Sequence, residues 1–316
     1  MMRLFRGAGT DPLFPAGCVA AIGAFDGVHR GHRQLLADAG AAARERDVPL
    51  VALSFEPLPR EYFAHADPPA RLTPARMKYE LLREAGADAV GLLRFNAVMA
   101  AMPPEQFVAD VLVDALRARR VCVGEDFRFG RARAGDVGLL QQMGRTAGFD
   151  VQLAREVCDA DGQRVGASAI RRALAAGEFD RAAAALGRRY AIAGRVGRGR
   201  QLGRQLGYPT ANIPVRWRPA VTGILAVRVT GAGLRDWPGV ASLGTRPTVG
   251  GGGPAVLEAH LFDFDGDLYG QRLSVEFVGH LRDEAKFDSL DALVERMHID
   301  ARLAREQLAA HAADVT

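Results

Sequence analysis

Short apolar runs alternate with amphipathic helical segments through the first half of the chain. Buried strands are predicted for residues 18–25, 49–55, 88–93, 119–124 and 149–154. Helices are predicted between them, for residues 29–46, 74–86, 103–118 and 136–148. This alternation predicts parallel βαβ units and an α/β fold with a doubly wound parallel sheet. Ligands of such sheets bind where strands end and helices begin, so functional residues are expected in the turns that follow the strands.

The pattern changes after Gly187, where short alternating segments are separated by glycines. Strands are predicted for residues 191–197, 210–215, 224–231, 238–244, 255–264 and 272–281. They predict a small antiparallel β-barrel, and a last helix is expected to start at a Ser289 cap and to cover one end of this barrel. The chain of 316 residues is therefore predicted to form two domains, residues 1–186 and residues 187–316.

Composition argues against several classes of protein. Lysine and arginine number 41 against 37 acidic residues and form no basic run, so no nucleic-acid partner is expected. No apolar run approaches the ~18 residues of a membrane-spanning helix and the first residues lack a signal-peptide pattern, so neither a membrane span nor export is expected. Cys18, Cys122 and Cys158 are far apart and form no CxxC pair, which favours the reducing cytoplasm. The sequence predicts no particular oligomeric state.

The most informative local pattern is GAFDGVHRGH at residues 23–32, between the first predicted strand and the first predicted helix. If the helix begins near Val28, His29 and His32 lie on one face of its first turn, beside free backbone N–H groups and the positive end of the helix dipole. The glycines of the motif allow a phosphate to approach the backbone, and two imidazoles can stabilise charge that develops on it. The alternative is a pair of solvated histidines at a helix start.

A second pattern, GRVGRGRQLGRQLGYPTAN, occupies residues 194–212. Its glycines permit a loop whose N–H groups wrap a polyphosphate, although glycine and arginine are also common in exposed turns. Further along, Glu258 lies in an alternating segment, where it is either a general base or a solvent-facing strand residue. Since the chain has no GxxxxGK[ST] sequence, any kinase here is not a P-loop enzyme.

Both patterns resemble motifs of one family, the bacterial bifunctional riboflavin kinase/FAD synthetases. The first resembles the HxGH signature of the nucleotidyltransferase half, and the second resembles the riboflavin kinase stretch GxVxxGxxxGRxLGxPTAN. The resemblance implies that riboflavin and ATP give FMN and ADP in the C-terminal barrel, and that FMN and ATP give FAD and pyrophosphate in the N-terminal domain. Class I aminoacyl-tRNA synthetases also carry HxGH, but two lysines leave no candidate for their second lysine loop.

For adenylyl transfer, the resemblance implies that His29 and His32 are catalytic. VGEDFRFG at residues 123–130 resembles the family's VGxxFxFG segment, and SFEPLP at residues 54–59 resembles its loop after the second strand. The implied ATP contacts are Gly23, Phe25, Asp26, Gly31, Asp126, Ser168 and Arg171. The implied flavin contacts of this domain are Phe55 and Phe129.

For the kinase, the resemblance implies that Glu258 is the base that acts on the 5′-hydroxyl of riboflavin. Thr210 and Asn212 would hold Mg²⁺, whose preference is for oxygen ligands. The implied ATP contacts are Gly197, Gly199, Gly203, Arg204, Pro209 and Thr210. LRDEAKF at residues 281–287 resembles the family's RxExKF segment, which implies flavin contacts for Arg282 and Phe287.

One segment departs from the family pattern. Where the family usually reads close to SSTRIR, this chain reads GASAIR at residues 166–171, so two hydroxyl groups and one arginine are missing. Two alternatives therefore stay open beside the bifunctional enzyme. One is a riboflavin kinase with weak or lost adenylyltransferase activity, and the other is a regulatory protein that only senses flavins.

Overall fold

The chain divides into two compact units. The structure, a computed structural model, describes residues 3–7, 12–64, 67–199, 203, 206–245 and 255–313. The first unit comprises Met1–Pro69 and Thr73–Gly166, and the second comprises Ala70–Leu72 and Ala167–Thr316. Residues 167–186 thus belong to the second unit, whereas the boundary expected from the sequence lies after residue 186. That boundary stays a prediction about where the barrel domain begins.

The first unit contains a parallel sheet. In the described residues its strands are β1 (Arg3–Phe5), β2 (Cys18–Ile22), β3 (Leu50–Glu56), β4 (Ala89–Arg94), β5 (Ala118–Val123) and β6 (Asp150–Leu153). They pair in the order β1-β4-β3-β2-β5-β6, and every pair is parallel. β2 is buried along its whole length because neighbouring strands and helices cover both its edges and its faces, as the continuous apolar run predicted. No sequence pattern predicted β1, which has only three residues.

Helices connect these strands. They are α1 (Arg30–Glu45), α2 (Pro59–Phe63), α3 (Ala75–Glu84), α4 (Ala97–Ala101), α5 (Pro104–Gln106) and α6 (Val137–Ala147). α1 buries one stripe of small and branched residues, Leu35, Leu36, Ala39, Ala42 and Ala43. A π-helix over Phe107–Ala115 follows α5, where the sequence predicted one continuous α-helix. Hydrophobic spacing does not distinguish these two helix types over two turns.

The order of the strands reverses beside β2. β3 and β4 extend the sheet on one side of β2, and β5 and β6 extend it on the other. Connections that leave β2 and β5 in opposite directions open a crevice at the carboxyl ends of these two strands. The motif at residues 23–32 directly follows β2, and the segment at residues 123–130 directly follows β5. The fold therefore places both predicted motifs at the switch point of the sheet.

The second unit contains an antiparallel barrel. Its described strands are β7 (Ala191–Arg195), β8 (Ala211–Val215), β9 (Gly223–Gly231), β10 (Leu234–Thr245), β11 (Ala255–Leu261) and β12 (Arg272–Arg282). They pair in the order β7-β12-β9-β10-β11-β8. The Gly197 N–H donates to the Asn212 carbonyl at 2.8 Å, in a bridge between the segment after β7 and strand β8. This bridge joins the two edges of the sheet and nearly closes it into a barrel. The α/β class with a C-terminal antiparallel barrel is thus confirmed.

Helices α7 (Ala167–Ala175), α8 (Phe179–Leu186) and α9 (Leu290–Ala313) complete the second unit. The predicted cap of α9 is confirmed, since the Ala292 N–H donates to Ser289 Oγ at 3.1 Å. The predicted place of α9 is wrong. Its small residues Ala301 and Ala304 pack on Ala226, whose strand neighbours face the barrel interior, so α9 covers the outer surface of the barrel rather than an end. In the described residues, no helix combines the length and the apolar character needed to span a membrane.

Leu53 tests the contribution of the parallel core. It is 0% exposed on β3 and packs between β2 and β4. We expect Leu53→Ala to lower the free energy of unfolding by about 2–5 kcal/mol, because a cavity would remain in a close-packed core. Val98→Ala, at a position that is 73% exposed, should change it by less than about 0.5 kcal/mol. Urea unfolding followed by circular dichroism measures both, and equal effects would contradict the assigned core.

Candidate active sites

The paired histidines lie together at the start of α1. The helix begins at Arg30 rather than near Val28, and His29 is its N-cap residue. His29 Nδ1 accepts a hydrogen bond from the His32 backbone N–H at 3.4 Å. The two rings are stacked, with centroids 3.6 Å apart and planes 20° from parallel. His29 is buried and His32 is half-buried, so the pair is not solvated.

The loop that leads into this helix has an unusual backbone. Phe25 and Val28 have positive φ values of 48° and 43°, a region that costs energy for residues with a side chain and most for a β-branched one. The Phe25 ring is buried, and its centroid lies 5.1 Å from the centroid of the His32 ring. A side chain at Gly23 would begin 3.3 Å from the Phe25 ring, and one at Gly31 would begin 3.3 Å from the His29 ring. These glycines therefore leave room for the two rings.

Asp26 shapes this loop from within. It is 1% exposed, and its Oδ1 accepts hydrogen bonds from the Thr73 N–H at 3.0 Å and the Thr73 hydroxyl at 3.2 Å. Thr73 Oγ1 in turn accepts from the Gly27 N–H at 2.9 Å. The sequence did not indicate Thr73, which lies 47 positions after Asp26. The predicted ATP contact of Asp26 stays a prediction beside this structural role.

The histidine pair favours neutral imidazoles. Burial lowers the pKa of His32 well below its ordinary value, and the electrostatic influence of the neighbouring His29 and of the Lys78 ammonium lowers it further. Because His29 Nδ1 is an acceptor, neutral His29 carries its proton on Nε2 and can donate from there. The site therefore offers imidazole N–H donors beside the free N–H groups at the start of α1.

Aromatic rings form a chain at the same edge of the sheet. Phe55, near the end of β3, is half-buried, and its ring lies 5.8 Å from Phe95 and 6.3 Å from Phe107. Phe107 is followed by Phe129 at 5.8 Å, and Phe127 stacks on Phe129 at 5.5 Å. Phe129 is only 7% exposed, whereas Phe127 is half-buried. Sequence analysis missed Phe95 and Phe107, because nothing in their own segments marks them.

The remaining predicted residues of adenylyl transfer, Asp126, Ser168 and Arg171, lie on other segments of the chain. Asp126 is exposed and accepts from the Arg164 side chain at 3.4 Å. Ser168 and Arg171 lie in α7, which belongs to the second unit, and Arg171 Nε donates to the Ala70 carbonyl. Their predicted contacts with ATP stay predictions.

Three polar residues stand side by side on the barrel. Glu258 on β11 is paired with Asn212 on β8 and with Ser242 on β10. Directly opposite residues have Cβ atoms about 4.5–5.5 Å apart. Leu257 and Ala259 are buried in the barrel core, so Glu258 lies on the outer face, half-buried. A carboxylate and a side-chain amide therefore share one outward face.

Asn212 is oriented by its neighbours. Its Nδ2 donates to Thr210 Oγ1 at 3.1 Å and to the Thr210 carbonyl at 3.2 Å, which leaves Oδ1 directed at Gly199. A Cβ atom on Gly199 would collide with Asn212 Oδ1, so the glycine permits this close approach. The hydroxyl of Thr210 and the amide oxygen of Asn212 are neutral oxygen ligands, which fit a Mg²⁺ ion that keeps several waters. In the described part of the chain, no three His, Cys, Asp or Glu side chains cluster as a metal site.

The loop before Thr210 folds back on itself. The Gly203 carbonyl accepts from the Tyr208 N–H at 2.7 Å, and the Pro209 carbonyl lies 2.9 Å from His260 Nδ1. The Tyr208 hydroxyl lies 2.6 Å from Nδ1 of His298 on α9. Arg204, a predicted ATP contact, lies outside the described residues.

Arg282 is held by α9. Its Nη2 donates to Asp300 at 2.6 Å and its Nε donates to the same carboxylate at 3.0 Å. Arg296 also donates to Asp300, at 3.1 Å. The Arg282 guanidinium lies 5.6 Å from the centre of the Phe287 ring, so these two predicted flavin contacts are neighbours. Asp300 and Arg296 had no signal in the sequence.

Comparisons with known proteins agree with both motifs. The family model for FAD synthetase matches residues 12–169, and the model for riboflavin kinase matches residues 186–308. The chain is 44% identical over 307 residues to the bifunctional riboflavin kinase/FMN adenylyltransferase of Escherichia coli (strain K12), with 96% of this chain and 97% of that protein covered. It is 47% identical over 305 residues to the protein of the same name from Pseudomonas fluorescens, with 96% and 97% covered.

A solved structure is similar along the whole chain. The crystal structure described as a macrolide-efflux protein from Streptococcus pneumoniae has a TM-score of 0.78 and 27% identity, and covers 96% of this chain and 99% of its own. That name differs from the activities named for the curated relatives. Both family models and the identities of 44% and 47% favour the relatives' activities for this chain.

The neutral state of His32 predicts a pH dependence of stability. Between pH 7.5 and pH 5.5 the unfolded chain binds a proton at this histidine, whose ordinary pKa is about 6.5, whereas the lowered pKa in the folded chain opposes protonation. The contribution of His32 to stability is therefore present above about pH 6.5, the ordinary pKa of histidine, and is lost as the pH falls below it. We expect the loss between these pH values to be about 1 kcal/mol smaller in His32→Asn than in the unmodified chain. Urea unfolding at both pH values measures this difference, and identical losses would contradict a neutral His32 ring in the folded chain.

Proposed function

This chain belongs to the family of bifunctional riboflavin kinase/FMN adenylyltransferases, and on that premise we propose which of its residues perform the two reactions. The kinase converts riboflavin and ATP to FMN and ADP, and the adenylyltransferase converts FMN and ATP to FAD and pyrophosphate. We assign adenylyl transfer to residues 1–186 and phosphorylation to residues 187–316. The observation that carries this assignment is that each motif forms a built site, the stacked imidazoles after β2 and the Glu258–Asn212 pair on the barrel.

In adenylyl transfer, a phosphate oxygen of FMN attacks the α-phosphorus of ATP. A bond forms between these atoms, the bond from the α-phosphorus to the bridging oxygen breaks, and the electron pair leaves with pyrophosphate. His29 and His32 donate N–H hydrogen bonds to oxygens on which charge develops, with the N–H groups at the start of α1. Gly23 and Gly31 let the nucleotide approach. Since no side chain forms a bond to phosphorus, catalysis depends on positioning.

The chain of aromatic rings suits the flavin of this reaction. Phe55 and Phe127 are half-buried and can contact a flat ring system, while the buried Phe129 supports Phe127 from behind. We therefore extend the predicted flavin contacts from Phe55 and Phe129 to Phe127. Asp126, Ser168 and Arg171 are proposed to contact ATP.

In the kinase, Glu258 accepts the proton of the riboflavin 5′-hydroxyl as that oxygen attacks the γ-phosphorus of ATP. The bond from the γ-phosphorus to the bridging oxygen breaks and ADP leaves. Thr210 and Asn212 would hold Mg²⁺, which neutralises charge on the ATP phosphates when bound. Gly197, Gly199, Gly203, Arg204 and Pro209 form the proposed phosphate loop, and Arg282 and Phe287 contact the flavin.

One observation favours a second candidate, a kinase with weakened adenylyl transfer. The GASAIR segment has lost hydroxyl groups and one arginine, and Arg171 already donates to the Ala70 carbonyl. Losing one charge-assisted hydrogen bond costs about 1.5–3 kcal/mol, or about 10- to 100-fold in rate. The retained histidine pair favours a slow adenylyltransferase over a lost one. The cytoplasm stays the proposed location, on the cysteine pattern alone.

Paired substitutions test the two assignments. Glu258→Gln should lower FMN formation from riboflavin at least about 100-fold, because the proton acceptor is lost. It should leave FAD formation from supplied FMN within about 2-fold of the unmodified chain. His32→Ala should lower FAD formation from supplied FMN and leave FMN formation largely unchanged. It removes a donor whose hydrogen bond strengthens in the transition state of adenylyl transfer. Chromatographic separation of riboflavin, FMN and FAD over time measures both activities. Equal loss of both in either variant would contradict separate sites.

A glycine substitution tests the orientation of Asn212. Gly199→Ala should lower the kinase rate at least about 10-fold, because the added carbon displaces the Asn212 amide that lies against it. Gly197→Ala places its carbon at an ordinary 3.8 Å from the Asn212 carbonyl oxygen and should have a smaller effect. Steady-state kinetics at several Mg²⁺ concentrations should show a higher Mg²⁺ requirement for Gly199→Ala. Equal kinetics for the two variants would exclude the proposed role of Asn212.

A further inference from the structure

Lys78 is a buried charge that the chemistry described so far does not use. It lies on α3, and its side chain is 0% exposed. Burying an ammonium group is energetically unfavourable, so a lysine in such a place has a structural or functional reason. One of its contacts leads directly to the histidine site.

A chain of polar contacts links Lys78 to the phosphate loop. Lys78 Nζ lies 3.5 Å from Oγ of the buried Ser54, and this hydroxyl donates to the Ala24 carbonyl at 3.0 Å. The Gly23 N–H donates to the Leu53 carbonyl at 3.1 Å, which ties the start of the same loop to β3. The loop between β2 and α1 is therefore bound through Ser54 to a side chain of α3.

The start of α3 holds the same loop at a second point. Thr73, two residues before the helix, binds Asp26 and Gly27. Between the contacts at Ala24 and Asp26 lies Phe25, and Val28 follows, the two non-glycine residues of this loop with positive φ. Such a backbone persists only where its surroundings fix it. Ser54 on one side of Phe25 and Thr73 on the other provide that support.

The charge of Lys78 also acts on the histidine pair. Among the described residues, two titratable groups lower the pKa of His32. They are His29, whose ring centroid lies 3.6 Å from that of His32, and Lys78 on α3. The Phe25 ring covers another side of His32 and brings no charge. The positive charge of Lys78 lowers the pKa of His32, so Lys78 helps to keep this ring a neutral donor.

We propose that Lys78 is a positioning residue for adenylyl transfer, which holds the loop of residues 23–29 in place through Ser54. This inference rests on the proposed function of that site. Lys78 acts through Ser54 and His32.

Substitution of Lys78 in the full chain tests the proposal. Lys78→Met keeps the length of the side chain and removes its charge. We expect kcat for FAD formation from supplied FMN to fall at least about 10-fold, while FMN formation from riboflavin stays within about 2-fold. Ser54→Ala removes the connecting hydroxyl and should lower FAD formation by about 3- to 10-fold. Arg76→Met, an exposed cation on the same helix, is the matched control and should change neither activity.

Histidine NMR separates this role from simple packing. In Lys78→Met the titration midpoint of His32 should move to higher pH, because a nearby positive charge is gone, and in Arg76→Met it should not move. A normal rate of FAD formation in Lys78→Met, an equal fall of both activities, or an unmoved His32 midpoint would each overturn the proposal. Absence of FAD formation in the unmodified chain would instead overturn the proposed function.

Discussion

The first unit depends on the start of α1, where a short loop turns from the central strand of a parallel sheet into a helix. Unpaired backbone N–H groups at that point attract a polyphosphate, but only if the loop leaves them accessible. The loop enters the helix with positive φ values at Phe25 and Val28, which cost energy. Asp26 and Thr73 offset this cost with buried hydrogen bonds. The same backbone path brings the imidazoles of His29 and His32 into a stack.

The barrel also brings polar side chains together, but it does so through strand register. No helix start is involved in its described polar cluster, which is set by the register of β8, β10 and β11. A shift of one residue between β8 and β11 would turn Asn212 and Glu258 to opposite faces, so the packing of Leu257 and Ile213 in the core also fixes the site. The parallel unit places its chemistry at strand ends, whereas the antiparallel unit places it on one strand face.

Sequence patterns predicted what is local and missed what joins distant segments. The strand runs, the Ser289 cap and both motifs were readable because their physical causes lie within a few residues. Thr73 and Lys78 act on a loop about 45–55 residues away, and no periodicity announces such contacts. Phe95, Phe107 and Asp300 were missed for the same reason. The place of α9 was mispredicted because its small residues fit an outer sheet surface as well as a barrel end.

Uncharged polar groups are a feature that both proposed sites share. ATP carries several negative charges before reaction and pyrophosphate carries them afterwards, so fixed cations at His29 and His32 would bind the ground state and the product strongly. Only interactions that grow stronger in the transition state accelerate the chemical step. An uncharged imidazole N–H, aimed at an oxygen on which charge accumulates, satisfies that condition better than an imidazolium. The proposed metal ligands of the barrel, a threonine hydroxyl and an asparagine amide, are also uncharged, so they would orient a metal ion without adding charge of their own.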